Sequence, residues 1–373
     1  MRRHRIAVGC YFFLAGLCFS SWASRIPDIR QQLHLNNAGL GAVLLALPAG
    51  LMTSLPIAGW MVAKFGSRRV AILAAIAYPA ILPFLGLSAT TWELVGCLFL
   101  FGVSGNMLNI SMNTQAIGTE LLYRRSIMAS YHGIWSLAGF SGAAIGVLLT
   151  GLSLVPYRHF LVITALAWLL VGLSYPWLLA HDEDGQDDRP IFARPDRSLI
   201  NLGIIAFCSM ICEGAMADWS GVYFQRVIQP GPGLVAAGYT AYTATMASGR
   251  FIGDWLATRL GTRKILRASG ILTASGLLLA VFCPYFITAI IGFLLVGAGV
   301  SSVVPLVYGS AGRSKTLTPG AALAAVSTIG YLGFLLGPPG IGFIAQASSL
   351  KWSLGLVALL GSVIALMAGK LER

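Results

Sequence analysis

Charge is what this sequence has least of. Only 10% of its 373 residues are charged, against roughly 25% in a soluble domain. A chain so poor in ionisable groups and 57% hydrophobic is neither disordered nor an ordinary soluble enzyme. Cysteine is sparse as well. Cys10, Cys18, Cys97, Cys208, Cys212 and Cys283 all fall in apolar stretches without a CxxC pair, which argues against a disulfide framework or a metal site. The sequence contains no GxxxxGK[ST] loop, HExxH pair or nucleophile elbow, so ATP hydrolysis and the standard hydrolytic mechanisms lack their residues. Neither an enzymatic role nor a bound cofactor is expected. Work done across a membrane would then draw on an ion or solute gradient, and a proton gradient is the expected one.

What is present is apolar sequence from end to end, with a mean hydropathy of +0.78. Helical spans of about 20 residues are expected near 6–24, 39–62, 70–89, 92–118, 127–150 and 160–180. After the polar segment HDEDGQDDRPIFARPDR, six more are expected near 199–219, 236–257, 265–283, 286–311, 319–343 and 352–370. The expectation is an all-α polytopic membrane protein with 12 transmembrane helices in two pseudo-symmetric six-helix bundles, 1–180 and 199–373, joined by a cytoplasmic linker at 181–198. The first run follows Arg2, Arg3 and Arg5 and imitates a signal peptide, but its many successors favour an uncleaved helix. The acidic DEDGQDD stretch lacks the spacing of a calcium loop and reads as a tether.

The net charge of +12 would suggest nucleic acid in a soluble protein. Here it is read as topology, with membrane lipid as partner and no nucleic acid. With both termini in the cytoplasm, only Arg25, Arg30, Arg158, Arg226 and Lys351 of the 25 basic residues fall outside, and Arg250 lies in a span. That asymmetry fits the positive-inside rule. One chain supplies both bundles, so a monomer is expected.

The halves also repeat. WMVAKFGSRR (60–69) recurs as WLATRLGTRK (255–264), aligning Trp60 with Trp255, Lys64 with Arg259, Gly66 with Gly261 and Arg68 with Arg263, each 195 positions apart. AGF (138–140) recurs as LGF (332–334), and Trp22 has a counterpart in Trp219. Near-constant offsets across an even number of helices imply parallel repeats related by an axis along the membrane normal.

The six-linker-six plan and the basic Gly-containing loops after spans 2 and 8 resemble the major facilitator superfamily of secondary transporters, over essentially the whole chain. Gly59, Met61, Lys64, Gly66 and Arg68 fit the family loop, but Ala63 stands at its acidic position. The second copy has Thr258 there, with Asp254 one turn earlier. SSWASRIPDIR, YHGIW and ADWS resemble, more narrowly, an incompletely characterised bacterial inner-membrane branch distantly similar to proton-coupled fucose permeases. The resemblance implies the major facilitator fold, alternating access and a multi-pass protein of the bacterial inner membrane.

Ionisable groups inside spans are functional candidates by default. Glu213 and Asp218 lie in CSMICEGAMADWS, and Glu213, about 7.5 Å deeper along the helix, is the better proton carrier. Asp218 and His132 are further proton-coupling candidates. Asn106, Asn109 and Asn113 are spaced by 3 and 4 residues on one helical face and offer donors and acceptors to a polar solute. Interhelical packing is the plainer use of the same amides. Trp135, Trp22 and Trp219 are candidate cavity surfaces, although Trp22 and Trp219 equally suit the membrane interface as anchors. Gly66, Arg68, Arg250, Asp254, Gly261 and Arg263 are gating candidates, with Arg250 and Asp254 four apart near the cytoplasmic side and offsetting each other. Ser136, Gly139, Gly142, Gly146 and Gly330, Gly333, Gly337, Gly340 are expected where the halves rock, and Pro338 and Pro339 are expected to bend span 11.

The leading reading is a transporter of a small polar, sugar-like solute by proton symport. Two others stand beside it: a proton-driven exporter of amphipathic compounds, and a non-transporting membrane receptor or scaffold.

Overall fold

The computed structural model describes residues 2–123, 127–180, 197–314, 317 and 319–370, with the backbone alone at 129, 232, 254, 319–321 and 324. Residues 181–196 of the expected linker lie outside the described residues. The helices are α1 (Arg2–Gln32), α2 (Asn37–Leu44), α3 (Ala46–Phe65), α4 (Ser67–Leu87), α5 (Thr91–Tyr123), α6 (Met128–Gly151) and α7 (Pro156–Ser174). They are followed by α8 (Arg197–Tyr223), α9 (Ala237–Leu260), α10 (Thr262–Phe282), α11 (Phe286–Val300), α12 (Val303–Ala311), α13 (Pro319–Ala347) and α14 (Leu350–Gly369). No strand occurs among the described residues.

Two of the expected spans are each divided into two helices, and a proline explains both breaks. Pro48 has no N–H for the Leu44 carbonyl, and the chain breaks at Leu45 between α2 and α3. Pro305 stands in the same relation to Ser301, where α11 gives way to α12. Other prolines are absorbed. Pro83 leaves the Pro79 carbonyl without its helical donor, and the Thr164 hydroxyl of α7 donates to it at 2.7 Å, as a membrane helix requires. Helix α13 likewise continues through Pro338 and Pro339.

Eleven helical stretches among the described residues, rather than the expected twelve, are long and apolar enough to cross a membrane. Helix α9 has the length, 24 residues, but Thr240, Thr243, Thr245, Ser248 and Arg250 lower its hydropathy. Large apolar side chains such as Leu73, Phe84, Leu148, Leu173 and Leu366 are more than half exposed, the inverse of a soluble fold and the surface that lipid covers. The fold is that of an all-α, multi-pass membrane protein.

The chain forms two compact units. The first comprises Met1–Asn36, Ala42–Gly185 and Gly231–Ala236. The second comprises Asn37–Gly41, Gln186–Pro230 and Ala237–Arg373. The start of α2 groups with the second unit because Asn37 Nδ2 donates to the Ala345 carbonyl at 3.2 Å and Gly41 packs on Gly342.

Each unit is held by close backbone contact at small residues. In the first, a methyl group at Gly102 would strike the Leu47 carbonyl, and in the second one at Gly297 would strike the Tyr242 carbonyl. Both residues of these pairs are 195 apart, so the duplication is visible in the packing of α3 on α5 and of α9 on α11. The expected rocking stripes serve the same end. Gly142 and Gly146 seat α6 on α1, and Gly330 and Gly333 seat α13 on α8, so the close approach they permit is within each unit. Small residues bring membrane helices close enough for dispersion contacts that lipid would otherwise take.

Gly142→Leu is expected to lower the thermal unfolding midpoint in detergent, because a Cβ there would stand 2.9 Å from the Leu17 carbonyl oxygen and 3.1 Å from Ser20 Cβ. Overpacking of this kind costs about 1–3 kcal/mol. Gly139→Ala, where a Cβ meets nothing within 4 Å, is expected to leave the midpoint unchanged.

Candidate functional site

The second unit brings an acid and a base together in the interior of α8 and α9. Arg250 Nη2 lies 3.8 Å from Glu213 Oε2, with side-chain exposures of 15% and 12%. Ser209, one turn before Glu213, offers its hydroxyl to Oε1 at 3.4 Å. Arg250 stands mid-helix on α9, and its long side chain spans the gap to Glu213 of α8. The side chain of Asp254 lies outside the described residues. Asp218, five residues beyond Glu213, is half-buried.

In the first unit the three asparagines of α5 separate by depth. Asn106 is 4% exposed and its Nδ2 donates to Ser54 Oγ of α3 at 3.0 Å. Asn109 is exposed and Asn113 half-buried, and Asn113 Nδ2 donates to the Asn109 carbonyl at 2.8 Å and to Asn109 Oδ1 at 3.0 Å. Two amides thus form a polar ledge, and the third ties two helices together. At the repeat positions of Ser54 and Asn106 stand Gly249 and Ser301, packed against each other, so the second unit replaces a hydrogen bond with close contact.

Trp22 and Trp219 are 2% and 0% exposed. Neither is an interface anchor; both rings are packed inside their units, with indole nitrogens that have no hydrogen-bond partner. Trp135 is half-buried and its ring lies 6.3 Å from that of Phe19. His132 is exposed, edge-on to Phe12 with centroids 5.4 Å apart.

The duplicated loops match closely. Gly66 has φ 83° and ψ 147°, and Gly261 has φ 83° and ψ 146°, a left-handed conformation that requires glycine. Each amide donates at 2.9 Å to the carbonyl four residues back. Lys64 Nζ sits 4.8 Å from the Trp60 ring centroid and Arg259 Cζ 4.5 Å from that of Trp255, a repeated cation–π pair. Arg68 is half-buried, whereas Arg263 is exposed and donates to the Gly369 carbonyl, where a cation complements the C-terminus of α14.

Sequence reading missed one cluster. Arg25, expected in a loop beyond the first span, lies within α1 at 2% exposure, and Arg30 is buried at 6%. Arg25 Nη1 reaches Asp28 at 2.8 Å, Nη2 the Leu154 carbonyl at 2.8 Å, and Nε the Nδ1 of His159 at 3.1 Å. Accepting at Nδ1 places the proton of the neutral imidazole on Nε2. The visible signal was Arg25 and Asp28 at helical i, i+3 spacing in SSWASRIPDIR, just past the predicted span end.

A two-unit, all-helical membrane protein with a repeated Gly-Arg loop and a few buried ionisable groups has the build of a secondary transporter. The sequence profile of the Major Facilitator Superfamily matches residues 8–314 and again 202–372. An uncharacterised MFS-type transporter of Yersinia pestis is 34% identical over 97% of this chain and 94% of its own length. Among solved structures, a single-site variant of the nucleoside transporter NupG superposes with a TM-score of 0.77 at 12% identity, covering 99% of this chain and 100% of that one. A single-site variant of the E. coli fucose:proton symporter FucP gives a TM-score of 0.63 at 19% identity, covering 99% and 98%. The chain belongs to the major facilitator superfamily of secondary transporters.

Arg25→Gln is expected to destabilise the first unit by about 1–3 kcal/mol, the cost of leaving the buried partners of its guanidinium unsatisfied while the part-exposed Asp28 turns to solvent, read as a lower unfolding midpoint in detergent. Arg25→Lys is expected to recover little of it, because an ammonium has no planar fork to meet three acceptors at once.

Proposed function

We propose that this protein is a proton-coupled symporter of a small polar, sugar-like solute, working by alternating access of two six-helix bundles, 1–180 and 199–373, joined by the linker 181–198. Helix α9 supplies the twelfth span, and the breaks after Leu44 and Val300 divide single spans. The protein works as a monomer in the bacterial inner membrane with both termini in the cytoplasm, a placement supported by the distribution of its arginines and lysines.

The observation that carries the reading is the setting of Glu213. It is a half-buried carboxyl of α8 bound loosely, by one ion contact at 3.8 Å and one hydroxyl at 3.4 Å. At that separation the gross attraction is on the order of 4 kcal/mol for an effective dielectric of about 20, and desolvation offsets much of it. A proton on Glu213 therefore removes a modest stabilisation and loosens its hold on Arg250. A tight bidentate pair would resist both changes. Asp218, half-buried on the same helix, is the second proton-coupling group, with His132 on α6 a third candidate. The Asn109–Asn113 ledge supplies amide donors and acceptors for hydroxyl groups of the solute, with Trp135 as a stacking surface. Gly66, Arg68, Gly261 and Arg263 belong to the gating loops.

The test is uptake into proteoliposomes across a panel of solutes, with and without an imposed pH gradient. Glu213→Gln is expected to lose gradient-driven accumulation while retaining exchange of the same solute at equal pH on both sides. Accumulation at the wild-type level in E213Q would remove Glu213 from coupling. Asn109→Ala is expected to weaken apparent solute affinity by roughly 3- to 10-fold, the worth of one hydrogen bond, measured by equilibrium binding.

A further inference from the structure

The first unit contains a groove of about 730 Å³ whose lining includes none of the candidate transport residues. Its lining comes from Arg2, Arg5, Ile6, Gly9, Cys10 and Phe13 of α1, Tyr123 of α5, Ile134 of α6 and Leu170 of α7. The groove exists because α6 and α7 each pack on α1 and because Gly9 and Cys10 fill little of the space between them. Ile6 is 60% exposed, and Leu170, Ile134, Cys10 and Phe13 are half-buried, so the groove opens on the apolar surface of the unit.

Charge and shape are sorted along it. Both cationic groups stand at the N-terminal end of α1, and the rest of the lining is apolar apart from the Tyr123 hydroxyl and the Cys10 thiol. Arg2 is exposed. Arg5 makes a long contact to Ser130 Oγ, 3.4 Å, and lies 5.7 Å from the Tyr123 ring centroid. Their neighbours are engaged elsewhere: Arg3 stacks on Trp177 at 4.3 Å and His4 Nδ1 meets the Trp177 carbonyl at 2.7 Å. Glu120, the acidic residue near this end, accepts from the amides of Ile127 and Met128 at 2.7 and 2.9 Å and does not line the groove. From Arg2 to Phe13 the helix rises about 16 Å, close to half of a hydrocarbon core about 30 Å thick.

We propose that this groove is a binding site for one anionic glycerophospholipid. Its phosphate sits between Arg2 and Arg5, and an acyl chain lies along Ile6, Cys10, Phe13, Ile134 and Leu170. A polar solute finds too few hydrogen-bonding groups here, and a wholly apolar ligand makes no use of the two arginines at the groove's N-terminal end. A lipid one leaflet deep with a negative headgroup meets both ends, and basic pockets at membrane helix ends select such headgroups.

The experiment is native mass spectrometry of the full-length protein offered equal amounts of phosphatidylglycerol and phosphatidylethanolamine of matched chains. The wild type is expected to retain one phosphatidylglycerol, about five-fold or more over the zwitterionic lipid, in line with headgroup selection by paired arginines. The double variant Arg2→Gln, Arg5→Gln is expected to bring the ratio near one. Leu170→Trp keeps both arginines but puts an indole into the acyl-chain end of the groove, and it is expected to reduce retention of both lipids. Equal retention by the wild type, an unchanged ratio in the double variant, or undiminished binding in L170W would each overturn the site. So would a dimer mass without lipid, which would assign the face to a second copy of the chain.

Discussion

A peptide group inside a bilayer has no water to turn to, and the way this chain satisfies its backbone shapes everything else in it. Helices close their own hydrogen bonds, so each span is nearly self-contained. Where proline opens the ladder, a neighbour closes it, as Thr164 does for the Pro79 carbonyl, or the helix divides, as it does before Pro48 and Pro305. Lipid tails are as apolar as leucine, so association between helices must come from close backbone approach at Gly102, Gly142, Gly297 and Gly333 rather than from burial of oily side chains.

The same solvent makes charge costly, and Arg25 and Arg250 show two ways of carrying it. Each guanidinium nitrogen of Arg25 has a partner: Asp28, the Leu154 carbonyl and His159 take its Nη1, Nη2 and Nε. Such a group rigidifies the helices it joins. Arg250 meets Glu213 at 3.8 Å, a single long contact between two half-buried side chains. The first arrangement suits a fixed strut within a unit.

Duplication explains why the units pack alike without being alike in chemistry. Helix contacts recur at a shift of 195 residues, down to the dihedral angles of Gly66 and Gly261. The polar groups do not. Ser54 and Asn106 bond across one helix pair, while Gly249 and Ser301 merely touch across its equivalent. Backbone approach is set by small residues that tolerate little change, whereas the side chains around them are free to diverge.

Most of the apolar helices, the internal repeat and the kinship with transporters were legible in the order of residues, because a membrane helix is a local object whose length and apolarity are written in about 20 consecutive positions. Even the breaks at Pro48 and Pro305 were open to reading, four residues from the carbonyls they orphan. What no local pattern could yield was partnership. Arg25 lies 134 positions from His159, and Arg250 lies 37 from Glu213; only the packing of α1 on α7 and of α8 beside α9 brings each pair within reach. The few charges whose scarcity marked this as a membrane protein acquire their separate meanings from contacts between helices, and those depend on how the helices pack rather than on where each begins and ends.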